Sequence, residues 1–465
     1  MSKPGTIGNY GWTPLALATG LLIVVSVLFG GASRENVLRL ALVELTALPV
    51  MVLAGARLIG SGGWRTHRFA IGMMAVALAI PILQIIPLPP VVWQSLPGRD
   101  PLVLALDLAN VEAGWAPLSL TPDQTWSGFL GLLPPAAAFL AVLAASHETR
   151  NRLFPLYLGL AAVSIVLGVL QMTSGAAVLY PYRTTDPGVV VGFFANRNHL
   201  AILLIAMLPP IGALLGQEFR RSTSMSGVSW LLAALAVLIV VSLGVIQSRA
   251  GIILGLPSVL VGLVIGVQAQ GRMHLKRGIV ATAAVGLLVV AAVTAFGMPR
   301  LLSRFGGDGS LIAGRSEAWR TTWDASGQYL PVGTGVGSFD PVYRSVEPLE
   351  GLDPTFLNQA HNEYLQVWLE MGWPGAALVL AFAVWWCRRT YQAWRGGASR
   401  EQGVRLAASA AILFILIHSA VDYPLRTATV AVFFAVCVAL LDRASPDATE
   451  NREIRRRRVR SRVSA

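Results

Sequence analysis

The stretch "SWLLAALAVLIVVSLGVIQSRAGIILGLPSVLVGLVIGVQ", residues 229–268, holds one charged residue, Arg249, between two apolar runs. Each run is about 19 residues long, the length that crosses a hydrocarbon core as a helix. Backbone groups in lipid must be satisfied within the segment, so the runs read as helices and not as open sheet. The link between them is three residues, "QSR", so this is a tight helical hairpin with Arg249 at the bilayer surface. An arginine inside a near-continuous apolar stretch is costly and marks a functional position.

The pattern repeats outward. Similar runs stand near 14–31, 37–60, 69–89, 126–145, 152–172, 199–216, 278–297, 373–387, 405–421 and 424–442. With the two above this predicts about twelve spans: an all-α polytopic membrane protein. Composition agrees, at 54% hydrophobic and 13% charged, where a soluble domain carries about a quarter charged residues.

The net charge is +12, and its distribution follows the spans. "GGWRTHR", "SHETRNR", "QEFRR", "GRMHLKR", "CRRTYQAWRGGASREQGVR" and "REIRRRRVRSR" come after every second run. Basic loops collect on the cytoplasmic side, which predicts an inner-membrane protein with both termini inside. The Arg-rich tail reads as an anchor at anionic lipid, not a nucleic-acid arm. Five segments follow: 1–125, N-terminal spans and a first outer loop; 126–297, central spans; 298–372, a large outer loop; 373–442, C-terminal spans; and 443–465, the basic tail. Cys387 and Cys437 imply no disulfide framework.

The polar residues worth attention lie at the outer ends of spans. In "QAHNEYLQVWLEMGWPG", 359–375, helical spacing predicts His361, Leu365, Trp368 and Gly372 on one stripe. His361 reads either as an interfacial histidine or as a general base, the side chain most easily poised near neutral pH. "GRSEAWRTTW" puts Arg315, Trp319 and Trp323 on one face of an interfacial helix. Arg315 and Arg320 are there either as ordinary interfacial cations or as a grip for an anionic head group. "GTGVGSF", 333–339, has the glycines of a phosphate loop but follows no strand, and reads as flexible turns. "FANRNHLA" offers an Asn N-cap with Arg197 and His199 in the first turn. "HSAVDYPLR" predicts His418, Asp422 and Arg426 four apart on one helix, a polar set that satisfies itself or a second wall of the same site. No HExxH, CxxC or nucleotide fingerprint occurs, so neither metal nor cofactor is expected.

Taken in order, "GFFANRNHLA", "SRAG", "GRSEAW", "GTGVGSF", "AHNEYLQVWLEMGWPG" and "HSAVDYPLR" resemble the O-antigen ligase and polymerase superfamily of bacterial inner-membrane proteins. The resemblance covers roughly residues 120–440. It implies a GT-C-like transferase whose donor is a glycan on undecaprenyl diphosphate. The acceptor would be a lipid A-core sugar or another glycan, attacked with inversion on the outer face. Carried onto this chain, the family pattern makes His361 the base, with Asn362 or Glu363 orienting it. It makes Arg249, Arg197 and Arg315 the diphosphate grip. Arg320, His199, Tyr364, Gly372, Asp422 and Arg426 fall in the same substrate-binding set. A polymerase or a protein O-oligosaccharyltransferase has the same parts with other acceptors. A lipid-linked glycan transporter is the competing class; it predicts inverted repeats and midplane charges, and neither is evident in the sequence.

Overall fold

A computed structural model describes residues 13–33, 36–183, 188–222, 224–270, 309–348, 356–397 and 399–442. The run expected at 278–297 and the basic tail lie outside them. Nine helical stretches among the described residues, one of them Pro122–Gly131 and Leu133–Ala144 taken together, are long and apolar enough to cross a membrane, and two shorter apolar helices accompany them. Together they match eleven of the twelve expected runs.

In chain order the helices are α1 Pro14–Phe29, α2 Val37–Gly60, α3 Arg68–Ile85, α4 Pro90–Trp93, α5 Asp100–Leu108, α6 Pro122–Gly131, α7 Leu133–Ala144 and α8 His147–Ser174. Then follow α9 Arg197–Arg221, α10 Gly227–Ile246, α11 Arg249–Gln270, α12 Gly309–Gly327, α13 Phe339–Val346, α14 Glu363–Trp394, α15 Arg400–Ser419 and α16 Ala428–Asp442. Small polar residues start many of them. The side chains of Thr13, Ser146, Asn196, Ser226, Asn362 and Ser399 each accept a backbone N–H of the first turn, satisfying donors that the helix itself leaves open.

Burial sorts the spans. Helix α9 is buried along almost its whole length, whereas α2 and α3 turn most of their apolar side chains outward. An outward apolar face is what a lipid-facing helix presents. Helix α9 is therefore the axis of the bundle. It packs on α11 through glycines spaced four apart on both helices: a Cβ on Gly212 would meet the Gly262 carbonyl oxygen at 2.0 Å, and one on Gly216 the Gly266 oxygen at 2.2 Å. Small residues let helix backbones meet where the hydrophobic effect between spans is weak.

Two expected boundaries change. The run expected to begin at 373 begins at Glu363, and α14 is broken at Gly372, where φ is 54° and ψ is −140°. A Cβ there would stand 2.3 Å from the Pro331 carbonyl oxygen, so the break exists to let two backbones touch. The second change is at "HSAVDYPLR". Helix α15 stops at Ser419, and Pro424–Arg426 is a 3-10 turn before α16. His418, Asp422 and Arg426 therefore do not share one helix. Pro424 supports the stop, since proline fixes φ and removes a donor.

The loops at one end of the bundle, the end expected outside, are ordered against each other. Pro87–Leu88 pairs antiparallel with Ala116–Pro117. Leu120 N–H donates to the Thr334 oxygen at 2.9 Å, and Thr125 Oγ1 to the Val336 oxygen at 2.8 Å. "GTGVGSF" is consequently not a flexible turn. Gly333, Gly335 and Gly337 all have positive φ, while Thr334 and Ser338 are fully buried and bonded to each other. These glycines serve close backbone packing, which only a residue without Cβ permits.

Candidate active site

Four elements meet at one end of the bundle: the first turn of α9, the loop before α14, the last turn of α15, and the 420–427 turn. Asp422 is the hub. It is 2% exposed. Its Oδ2 accepts from Asn198 Nδ2 at 2.6 Å and its Oδ1 from its own chain at Tyr423 N–H, 3.0 Å. His361 Nδ1 lies 3.3 Å from Oδ1, at ion-pair distance though out of line for a hydrogen bond. His199 Nε2 lies 4.0 Å from the same oxygen, and the Asp422 N–H donates to the His418 carbonyl at 3.0 Å. The Tyr423 ring stands edge-on to both His361 and His199, at centroid distances of 4.7 and 5.0 Å. Burial pushes the Asp422 carboxyl up, but the His361 contact and the neighbouring imidazoles of His199 and His418 outweigh it, and the group is held well below the usual carboxylate range. Asp422 is thus an anion facing His361.

His361 itself is not on the helical stripe expected for it. It precedes α14 with φ 49°, a left-handed conformation that non-glycine residues adopt at a cost and that clusters at functional sites. The conformation turns Nδ1 toward Asp422. Its side chain keeps 17% exposure, whereas His199 and His418 are buried, with all four of their ring nitrogens lacking a hydrogen-bond partner. Nδ1 is the ring nitrogen that faces the Asp422 carboxylate, and a proton held there leaves the lone pair on Nε2.

The orienting roles expected for Asn362 and Glu363 are not what the geometry assigns. Asn362 Oδ1 caps α14, accepting from Tyr364 and Leu365 N–H, both at 3.1 Å. Glu363 Oε1 accepts the Leu425 N–H at 2.7 Å. Both hold the backbone around His361. The partner of the imidazole comes from the far side of the site, from Asp422.

Arg426 and Gly372 belong to a supporting network. Arg426 Nη2 pairs with Glu370 Oε2 at 3.0 Å, and Glu370 is fully buried. Burial lowers the Arg426 pKa, but Glu370 and Glu363 together lift it above its ordinary value. Gln366 Nε2 donates to Glu370 Oε1 at 2.9 Å, and its Oε1 accepts the Ala360 N–H at 3.1 Å. Gln84, the one strongly polar side chain in its apolar run, bridges the loops: its Nε2 donates to the Glu370 carbonyl at 2.9 Å and its Oε1 accepts the Val336 N–H at 3.0 Å. Gly372 lets this layer lie against Pro331. Arg426 and Gly372 thus brace the loop that carries His361.

The remaining arginines ring this end. Arg197 is the first residue of α9, two positions before His199. Arg249 opens α11, where a Cβ on Gly251 would touch Ala201 at 3.1 Å, so α11 begins level with the first turns of α9. Arg315 Nη1 donates to the Val421 carbonyl at 3.3 Å, beside Asp422. Arg320 is exposed and lines a groove of about 580 Å³ with Trp319, Trp323, Trp368 and Asn362. Tyr364 donates to the Leu416 carbonyl at 2.7 Å. The N-termini of α9, α11 and α14, with their positive dipole ends, all point to this region. Among the described residues no group of three or more His, Cys, Asp and Glu is arranged to hold a metal.

Residues 230–380 match the family described as O-Antigen ligase. Over that segment, about a third of its length, the chain is similar to the O-antigen ligase family. The matched segment holds Arg249, Arg315, Arg320 and His361–Tyr364, and it ends just beyond Gly372. Arg197, His199, Asp422 and Arg426 stand outside it and reach the site only through the fold. No curated protein matches the chain. An O-antigen ligase-type, multi-pass membrane enzyme is the level of function this supports.

Proposed function

We propose that the chain transfers a glycan from undecaprenyl diphosphate to a hydroxyl of a lipid A-core sugar or another glycan, at the outer face of the bacterial inner membrane. The observation that carries this reading is the His361–Asp422 pair, set where helix N-termini and arginines gather within an O-antigen ligase-type bundle. Arg197 and Arg249, with Arg315 beside the Asp422 turn, hold the diphosphate. His361 Nε2 takes the proton of the acceptor hydroxyl. The acceptor oxygen bonds to the anomeric carbon from the face opposite the phosphate. The anomeric C–O bond breaks, its electron pair stays with the lipid diphosphate, and configuration inverts. The arginines stabilise the charge that grows on the leaving group, while Asp422 stabilises the imidazolium as it forms.

The test uses purified protein in liposomes with a lipid-diphosphate glycan and a glycan acceptor. His361→Ala is expected to insert normally and to lose transfer by about 10²- to 10⁴-fold, the range of a missing general base. Transfer at the wild-type rate by that variant rejects the mechanism. Movement of the lipid across the bilayer with no new glycosidic bond makes the chain a transporter.

A further inference from the structure

We propose that the groove between α12 and the outer turns of α14 is the subsite that stacks a sugar ring of the acceptor glycan. The proposal rests on the transferase reading above and adds to it the place of the acceptor. Trp323 and Trp368 stand as a near-parallel pair, with centroids 6.1 Å apart and 15° between planes. Trp373 abuts Trp368 edge-on at 5.0 Å. Trp319 completes the wall and is locked by donating its indole N–H to the Ala360 carbonyl at 2.8 Å. The faces of these rings are their negative side, and the C–H face of a pyranose is its positive side.

Three features favour a sugar over a membrane contact. Interfacial tryptophans place amphipathic rings at head-group level, but Trp319 spends its ring N–H on its own chain and has no polar edge left for head groups. The surface is a shallow groove of about 580 Å³, with aromatic walls and Arg320, Asn362 and Tyr364 as its polar residues; aromatic lining with few polar groups is the make-up of a small-molecule site. One face of Trp323 lies toward Trp368, and the residue nevertheless keeps 60% exposure, leaving ring surface for a ligand. The groove also adjoins the base. Asn362 lines it and follows His361 directly, and Ala360, which fixes Trp319, precedes it. Arg197 and Arg249 open α9 and α11, and Arg315, though on α12, reaches to the Val421 carbonyl beside Asp422, so a donor diphosphate held by the three leaves the groove lined by Trp319, Trp323 and Trp368 for the acceptor. With its Oδ1 committed to the cap of α14, Asn362 offers its amide N–H groups to sugar hydroxyls.

The experiment follows intrinsic tryptophan fluorescence of the full-length protein in nanodiscs. The ligands are core oligosaccharide freed of lipid A, repeat-unit oligosaccharide, and undecaprenyl phosphate, each from or matched to the source organism. One of the two soluble oligosaccharides is expected to quench saturably. Trp323→Ala and Trp368→Ala are each expected to weaken that binding about five- to tenfold, the worth of one aromatic contact, and to raise the acceptor KM with little change in the donor KM. Trp323→Phe, which keeps a ring, recovers much of the loss and controls for misfolding. Quenching by undecaprenyl phosphate alone assigns the groove to the isoprenoid chain and overturns the proposal. So does the absence of quenching by both oligosaccharides, or an unchanged acceptor KM in both alanine variants. His361→Ala should bind the oligosaccharide as wild type does. If it binds and also transfers at full rate, the chemical role of His361 falls while the subsite stands.

Discussion

The two ends of α16 carry two histidine–aspartate pairs, and they differ in one respect that matters. Asp442, at its inner end by the charge pattern, is 2% exposed; its Oδ2 bonds to His67 Nδ1 at 2.7 Å, and its Oδ1 lies 2.7 Å from Arg389 Nη2. His67 is itself buried. A guanidinium balances the carboxylate and the imidazole is sealed in. Asp422, just before the other end, is equally buried, but imidazoles and an amide surround it, and His361 keeps an open edge. The same two side chains make a sealed latch in one place and, on the function proposed above, a base in the other. The difference lies in the Arg389 guanidinium at Asp442 and the partly exposed His361 ring at Asp422.

That contrast can be broken at either end. The largest effect is expected from Asp422→Asn, which keeps the shape but removes the charge that supports an imidazolium. Transfer should fall about 10²- to 10⁴-fold, read as activity per folded protein, because losing a carboxylate whose pKa is depressed also lowers stability. Asp442→Asn should lower stability too, by about 1–3 kcal/mol for a buried charge-assisted bond left half made, but with transfer per folded protein within a few-fold of wild type. If Asp442→Asn silences transfer as completely as Asp422→Asn, the division into latch and base is wrong.

Next come the braces. Arg426→Met leaves Glu370 buried without its cation, a loss of about 3–5 kcal/mol, read as a lower unfolding midpoint. Gly372→Ala combines positive φ with a clash at Pro331, and about 1–3 kcal/mol is expected from the strained backbone; a variant as stable as wild type would remove the reason given for the kink. The smallest effect concerns pH. The Asp422 pKa is depressed in the folded chain, so its contribution to stability is present above the unfolded carboxylate value, about 3.9, and is lost as pH falls below it. Stability measured from pH 6 to pH 3 should fall less steeply in Asp422→Asn than in wild type.

Much of this was legible in the residues. Apolar run length placed eleven described helices because the bilayer sets their length, and loop charge gave the alternation. His361 stood out because an imidazole ahead of an apolar run is expensive to place without a reason. Its partner was harder. Asp422 lies far along the chain from His361, and periodicity put it on a helix with His418, whereas Pro424 ends that register. The resemblance points to the neighbours Asn362 or Glu363 as orienting groups, but their side chains go to a cap and to the Leu425 amide. "GTGVGSF" misled because glycines that allow tight packing and glycines that allow motion look alike in a sequence. Gln84 was visible as one polar residue in an apolar run, but what it bridges depends on tertiary contact alone.

The most direct test is a double-mutant cycle on the rate of transfer in liposomes, with wild type, His361→Ala, Asp422→Asn and the pair. Groups that act as one catalytic unit give losses that do not add. The double variant is expected to be no slower than His361→Ala alone. If the two losses multiply, Asp422 acts independently of the imidazole, and the His361–Asp422 base is contradicted.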